Sequence, residues 1–147
     1  MAKGDYKGEI MKKKIIVCVQ RDISNAINWA LKDLSVISAK YVDHLYQLEK
    51  IFSSDIDFCA IVVDSLIDGE STIPFLKILK DKSKIKVLLI ISADTSREEI
   101  IKLIKDKIVD NIILRPFNAT QIVDAVAKLC GIKIASEKPW YMYTKPE

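Results

Sequence analysis

A single aspartate, Asp64, closes the apolar run Phe58-Cys59-Ala60-Ile61-Val62-Val63. A carboxylate at the exit of a buried strand is a candidate nucleophile, able to form an acyl intermediate. Two more apolar runs end on complementary groups. Lys86 to Ile91 is followed by Ser92-Ala93, a hydroxyl beside a small residue, and Asn111 to Leu114 by Arg115-Pro116-Phe117. A guanidinium can grip a carboxylate or a phosphate through two parallel hydrogen bonds. After the first run, Lys14 to Val19, come Gln20, Arg21 and Asp22. Taken singly, each has a plain structural explanation. An Asp after a strand is usually a turn residue or a helix cap, and a lone Ser-Ala or Arg-Pro says still less. Polar groups at successive strand exits, in a fixed order, say more than any one of them.

The elements that must position these groups alternate in type. Short β-branched runs alternate with segments of helical period. Ser24 is the expected N-cap of a first helix reaching about Leu34, with Ile27, Ala30, Leu31 and Leu34 on one face. A weaker strand spans Val36 to Tyr41, and a helix follows from Val42 to Phe52 with Leu45, Leu48, Ile51 and Phe52 inward. Asp68-Gly69 marks a turn. Thr72 or Ser71 caps a third helix to about Lys80, with Pro74 in its first turn, where the missing N–H is harmless. Thr95 or Ser96, ahead of Glu98 and Glu99, opens a fourth helix to about Lys105. The last helix starts near Asn118 or Thr120 and stops at Gly131. Strands joined by crossover helices run parallel. The expected fold is therefore α/β: a doubly wound, five-stranded parallel sheet of the flavodoxin-like (βα)5 kind. Ligands on such sheets bind beyond the carboxyl ends of the strands, where Asp64, Ser92 and Arg115 fall.

With these residues in place, the chain resembles the receiver domain of two-component response regulators, over roughly Lys12 to Cys130. Asp64, in Ala-Ile-Val-Val-Asp, matches the aspartate that accepts a phosphoryl group from a histidine kinase or phosphotransfer protein. Ser92-Ala93 matches the family's hydroxyl residue and small neighbour, and Arg115-Pro116-Phe117 matches its Lys-Pro-Phe. The resemblance implies strand order 2-1-3-4-5, phosphoryl binding by Ser92, Ala93 and Arg115, and a cis peptide bond at Pro116. Charge grows on the equatorial oxygens during phosphoryl transfer, so donors and cations aimed there fit this chemistry. The domain is expected over 12–131, between an extension, 1–11, and a tail, 132–147.

Several positions depart from the family. Its acidic pair after the first strand, which helps hold Mg²⁺, is Gln20-Arg21 here, leaving Asp22 and Asp64 as metal-binding carboxylates. Mg²⁺ demands near-octahedral oxygen ligation, so its binding is expected to be weak or lost. The family's lysine is Arg115, its switch aromatic is Ile112, and the loop Ser65-Leu66-Ile67-Asp68-Gly69 is shortened and lacks the usual proline. Two mechanisms follow. In one, Asp22, Asp64 and a carbonyl hold a weak metal and phosphorylation survives. In the other, which the charge balance favours, Arg21 or Arg115 pairs with Asp64 and fixes one conformation without metal.

Composition narrows the partners. The net charge of +3 is mild, and the run Lys12-Lys13-Lys14 reads as solvated residues ahead of a strand, so no nucleic acid is expected. No apolar run approaches the roughly 20 residues of a membrane span, and Met1 to Ile10 is too polar for a secretory segment. A cytoplasmic protein without a membrane partner is expected. Cys18, Cys59 and Cys130 are odd in number and widely spaced, and read as small hydrophobes. Ile100, Ile101, Leu103 and Ile104 make the fourth helix apolar beyond one stripe. Either they pack deeply, or they form an interface; the resemblance points to the face of fourth helix, fifth strand and last helix, through a downstream partner or a homodimer. Trp29 lies off its helix's inward stripe, and His44 reads as a surface or capping residue. The tail, with Trp140-Tyr141-Met142-Tyr143, is too short for an effector domain. A stand-alone signalling module, not an enzyme, is the leading reading. The alternative is a small flavodoxin-like enzyme or ligand-binding domain, which would need a phosphate-cradling loop. Only four glycines are present and none forms GxGxxG. A purely structural interaction domain is the third reading.

Overall fold

The structure, a computed structural model, describes residues 12–54, 57–92 and 94–132. The chain runs β1 (Lys13–Cys18), α1 (Arg21–Leu31), β2 (Ile37–Val42), α2 (Leu45–Ser54), β3 (Ala60–Asp64), a hairpin of β4 (Leu66–Ile67) and β5 (Glu70–Ser71), α3 (Ile73–Lys82), β6 (Lys86–Ile91), α4 (Arg97–Lys105), β7 (Asn111–Leu114) and α5 (Ala119–Cys130). The main sheet has the order β2-β1-β3-β6-β7, all parallel. With the hairpin set aside this is the 2-1-3-4-5 order, and the flavodoxin-like fold is as expected.

Burial explains the strand sequences. The inner strands β3 and β6 are apolar almost throughout because helices cover both faces. The edge strand β2 instead alternates, with Ser38 and Lys40 exposed and Ile37, Ala39 and Tyr41 turned towards the core. One core layer lies between the sheet and α2, α3 and α4, centred on Ile16, Leu48, Ile61, Leu76 and Leu89. The other lies under α1 and α5, around Val17, Ile27, Val62, Ile90 and Ile122.

Helix ends follow local chemistry. Ser96 Oγ accepts from Glu99 N–H at the start of α4. Asn118 and Gln121 form a reciprocal capping box on α5, which Gly131 closes at φ 68°. Two expected starts move. α1 begins at Arg21 rather than after Ser24, with Gln20 as an N-cap whose side chain makes no capping bond. The Gln20 carbonyl accepts from Ile23 and Ser24 N–H, and Asp22 puts an acid near the positive helix end. α2 begins at Leu45 rather than Val42, because Gln47 Oε1 takes the N–H groups of Asp43 and His44 at 2.8 Å each. Asp68-Gly69 is the two-residue turn of the β4–β5 hairpin, with φ 54° and 79°. Positive φ at both central residues is the geometry for which Asp-Gly is preferred. Ile67 thereby enters the core at 1% exposure.

Candidate functional site at the carboxyl edge of the sheet

Parallel register brings the strand exits to one edge. Asp64 is level with Ile90, and Ile91 with Leu114. Beyond them, Ser65 N–H donates to Ile90 O and Arg115 N–H to Ile91 O, at 2.9 Å each. β3, β6 and β7 thus deliver Asp64, Ser92 and Arg115 side by side. The Asp64 side chain is only 4% exposed. An isolated carboxylate at that depth is strongly disfavoured, and its compensation is explicit. Arg115 Nη2 donates to Asp64 Oδ2 in a very short bond. Gln20 N–H approaches the same oxygen at 3.5 Å. Arg115 Nη1 lies 3.6 Å from Asp22 Oδ2, so one guanidinium spans a buried and an exposed carboxylate.

The surrounding groups lock this arrangement. Thr72 Oγ1, fully buried, donates to the Asp64 carbonyl at 2.7 Å and ties the hairpin back to β3. The Gln20 amide donates to Leu66 O at 3.1 Å, bridging the β1 exit to the same hairpin. Ser92 Oγ donates to Asp94 in a very short bond and so faces Asp94 rather than Asp64. Arg21 is not on the site. It reaches Asp43 at 3.4 Å with its side chain 83% exposed, because the first residue of α1 points towards the β2 exit. Of the two arginines considered as partners of Asp64, Arg115 is the one in contact. Pro116 follows a cis peptide bond. Ala93 lies outside the described residues, as do 1–11 and the tail aromatics Trp140 to Tyr143.

Solved structures can now be compared with this geometry. A two-component response regulator from Clostridium difficile superposes with a TM-score of 0.71 at 12% identity, covering 82% of this chain and 97% of that one. The receiver domain of a Francisella response regulator gives 0.69 at 21% identity, covering 80% and 96%. A response regulator from Thermotoga maritima gives 0.68 at 17%, covering 82% and 98%. No protein-family model matches the sequence, and no curated protein does. The chain has the receiver fold.

Asp64 ends β3, and Gln20 and Arg21 directly follow β1, all at the carboxyl edge of this sheet. The residues present do not fit Mg²⁺. Gln20 turns its amide to Leu66 O, Arg21 is a cation, and the facing oxygen of Asp64 already accepts from a guanidinium. Asp22 is 63% exposed and leans on Arg115. A hard divalent ion needs several free oxygens. Among the described residues, no three His, Cys, Asp or Glu side chains gather into a metal-holding group.

The fourth-helix apolar residues divide by face. Ile101 and Ile104 are 54% and 53% exposed. Leu103, expected at the interface, is buried and so structural, and Ile100 is half-buried against the core. The division follows from helix geometry, since positions three apart share a face. Leu114, on β7, is also exposed. Trp29 is exposed with the Lys32 ammonium 4.3 Å above its ring. His44 pairs with Asp68 at 2.7 Å and stacks on Tyr46. That pairing escaped sequence reasoning because its partners meet only through the hairpin. Among the described residues, no helix is long and apolar enough to cross a membrane.

Proposed function

We propose that this chain is a receiver-like signalling module that acts through protein–protein contact, with Asp64 held in an ion pair by Arg115 and not used as a metal-dependent phosphoacceptor. The observation that carries the reading is the Arg115 guanidinium on Asp64 Oδ2. A cation in that position supplies the charge that a metal and a phosphoryl group would otherwise bring and take. The module binds partners and is not an enzyme. Its contact surface includes Ile101, Ile104 and Leu114, which stay exposed while Leu103 and Ile113 are buried. That surface serves a downstream cytoplasmic protein or a second copy of the chain.

The test is a titration of Mg²⁺ and beryllofluoride, an acyl-phosphate mimic, followed by amide NMR with Asp64→Asn as control. An unchanged spectrum at millimolar ligand is expected. Shifts around Asp64, Ser92 and Arg115 that vanish in the control would mean a working phosphoacceptor served by a histidine kinase or phosphotransfer protein, and would overturn the reading.

A further inference from the structure

At the opposite edge of the sheet, Cys59 and Cys130 bring their sulfur atoms to 3.2 Å although 71 positions separate them. Both are free thiols. Each has a fixed backbone. Cys59 immediately precedes β3; its N–H donates to Lys14 O at 2.9 Å and its carbonyl accepts from Lys86 N–H at 3.1 Å. Cys130 is the last residue of α5, where Gly131 N–H donates to Lys128 O and Ile132 N–H to Ala127 O. Sulfur atoms already touching are within side-chain adjustment of the about 2 Å of a bond.

We propose that Cys59 and Cys130 are an oxidisable dithiol that peroxide converts to an intramolecular, reversible disulfide. The Cys59 thiolate attacks one oxygen of hydrogen peroxide, the O–O bond breaks, hydroxide leaves, and Cys59 becomes a sulfenic acid. Cys130 sulfur then attacks that sulfenic sulfur. The S–S bond forms, the S–O bond breaks, and the Cys130 proton leaves with the departing hydroxide as water. Overall, two thiols and one peroxide give one disulfide and two waters.

The roles follow from surroundings. Cys59 is half-buried and so open to a small oxidant, whereas Cys130 is 5% exposed. Either sulfur can donate in the hydrogen bond they share; with Cys130 as donor the Cys59 thiolate is favoured, and with the nearby Lys13 ammonium this lowers the Cys59 pKa to about 7. The partner thiol moves up, through the same hydrogen bond and burial. A low-pKa, accessible thiol beside a second one is the arrangement in which sulfenic acid resolves to a disulfide. Cys18 is no competitor. It is fully buried, and burial with the negative Asp43, Asp64 and Asp68 pushes its pKa to about 12. The bond would pin the end of α5 to the start of β3, the strand whose other end carries Asp64.

The full chain is treated with hydrogen peroxide, denatured, alkylated with N-ethylmaleimide and mapped by peptide mass. A cross-linked Cys59–Cys130 peptide lacking two hydrogens is expected, with Cys18 alone alkylated and all three cysteines alkylated after dithiothreitol. Closing so long a loop raises the midpoint of thermal unfolding by on the order of 10 °C. In Cys130→Ser, checked for native circular dichroism, dimedone should trap the sulfenic acid on Cys59. Three alkylated cysteines at every peroxide dose, disulfides only between chains, or Cys59 oxidised in the wild type without the cross-link would each overturn the proposal.

Discussion

Replacing Arg115 by Met removes the cation from Asp64 while keeping most of the apolar stem, so packing loss is small. Asp64, 4% exposed in the native structure, is then left with the Gln20 N–H at 3.5 Å. Two charges about 4 Å apart near a protein surface interact by about 4 kcal/mol. Part of that is already spent on desolvating both groups, and the Arg115 side chain retains 23% exposure. A net loss of about 2–3 kcal/mol on removing one partner follows, or about 30–150-fold in the folded-to-unfolded ratio. Asp64→Asn is milder, about 1 kcal/mol, because Arg115 keeps both solvent and Asp22 at 3.6 Å. The double variant should therefore be more stable than the sum of the single losses implies, by about 2 kcal/mol of coupling. Urea unfolding followed by circular dichroism, without divalent metal, measures all four corners of the cycle. A loss below about 0.5 kcal/mol for Arg115→Met, or strict additivity, would show that the guanidinium does not hold Asp64 and would remove the basis of a metal-independent module.

Other perturbations test neighbouring parts of the argument. Gln20→Asp with Arg21→Asp and Arg115→Lys should gain Mg²⁺ binding that the parent lacks, read as metal-dependent amide shifts around Asp64; no gain would mean that other features block the site. Asn118→Ala breaks the capping box of α5 and should lower unfolding stability by about 1 kcal/mol. Gly69→Ala should lower it by about 1 kcal/mol through φ alone, since an added Cβ meets nothing within 4 Å at φ 79°. Alkylation of native Cys59 by iodoacetamide should rise with pH through about 7, because the thiolate reacts and its folded pKa is depressed. Cys18, at about 12, should stay unreactive over the same range.

What the sequence made legible was whatever local chemistry decides. Lys86 to Ile91 and Asn111 to Leu114 are strands over those very residues, because apolar runs bounded by turns have few alternatives. Ser96, Asn118 and Gly131 act as caps through their own side chains or backbone. The α1 start was misplaced for the converse reason: Ser24 has the type of an N-cap, whereas Gln20, the residue in that place, makes no capping bond that its type would advertise. The pairing of Asp64 illustrates a second limit. Arg21 and Arg115 both follow strands and carry the same charge, so types alone do not separate them. Nor does sheet order, since β1 neighbours β3 directly while β6 lies between β3 and β7. Side-chain direction decides: the residue leaving β7 reaches across β6 to Asp64, while the first residue of α1 turns to the β2 edge and Asp43. The two thiols illustrate a third. A contact spanning 71 positions has no local signature, and it forms because α5 runs back along the sheet and ends where β3 begins. One β-strand is thus held at both ends by the same β7–α5 unit, by Arg115 on Asp64 at one edge and by Cys130 against Cys59 at the other. If the two ends are mechanically linked, oxidation of the thiols should alter the amide shifts of Asp64 and Arg115 in the wild type and leave them unmoved in Cys130→Ser.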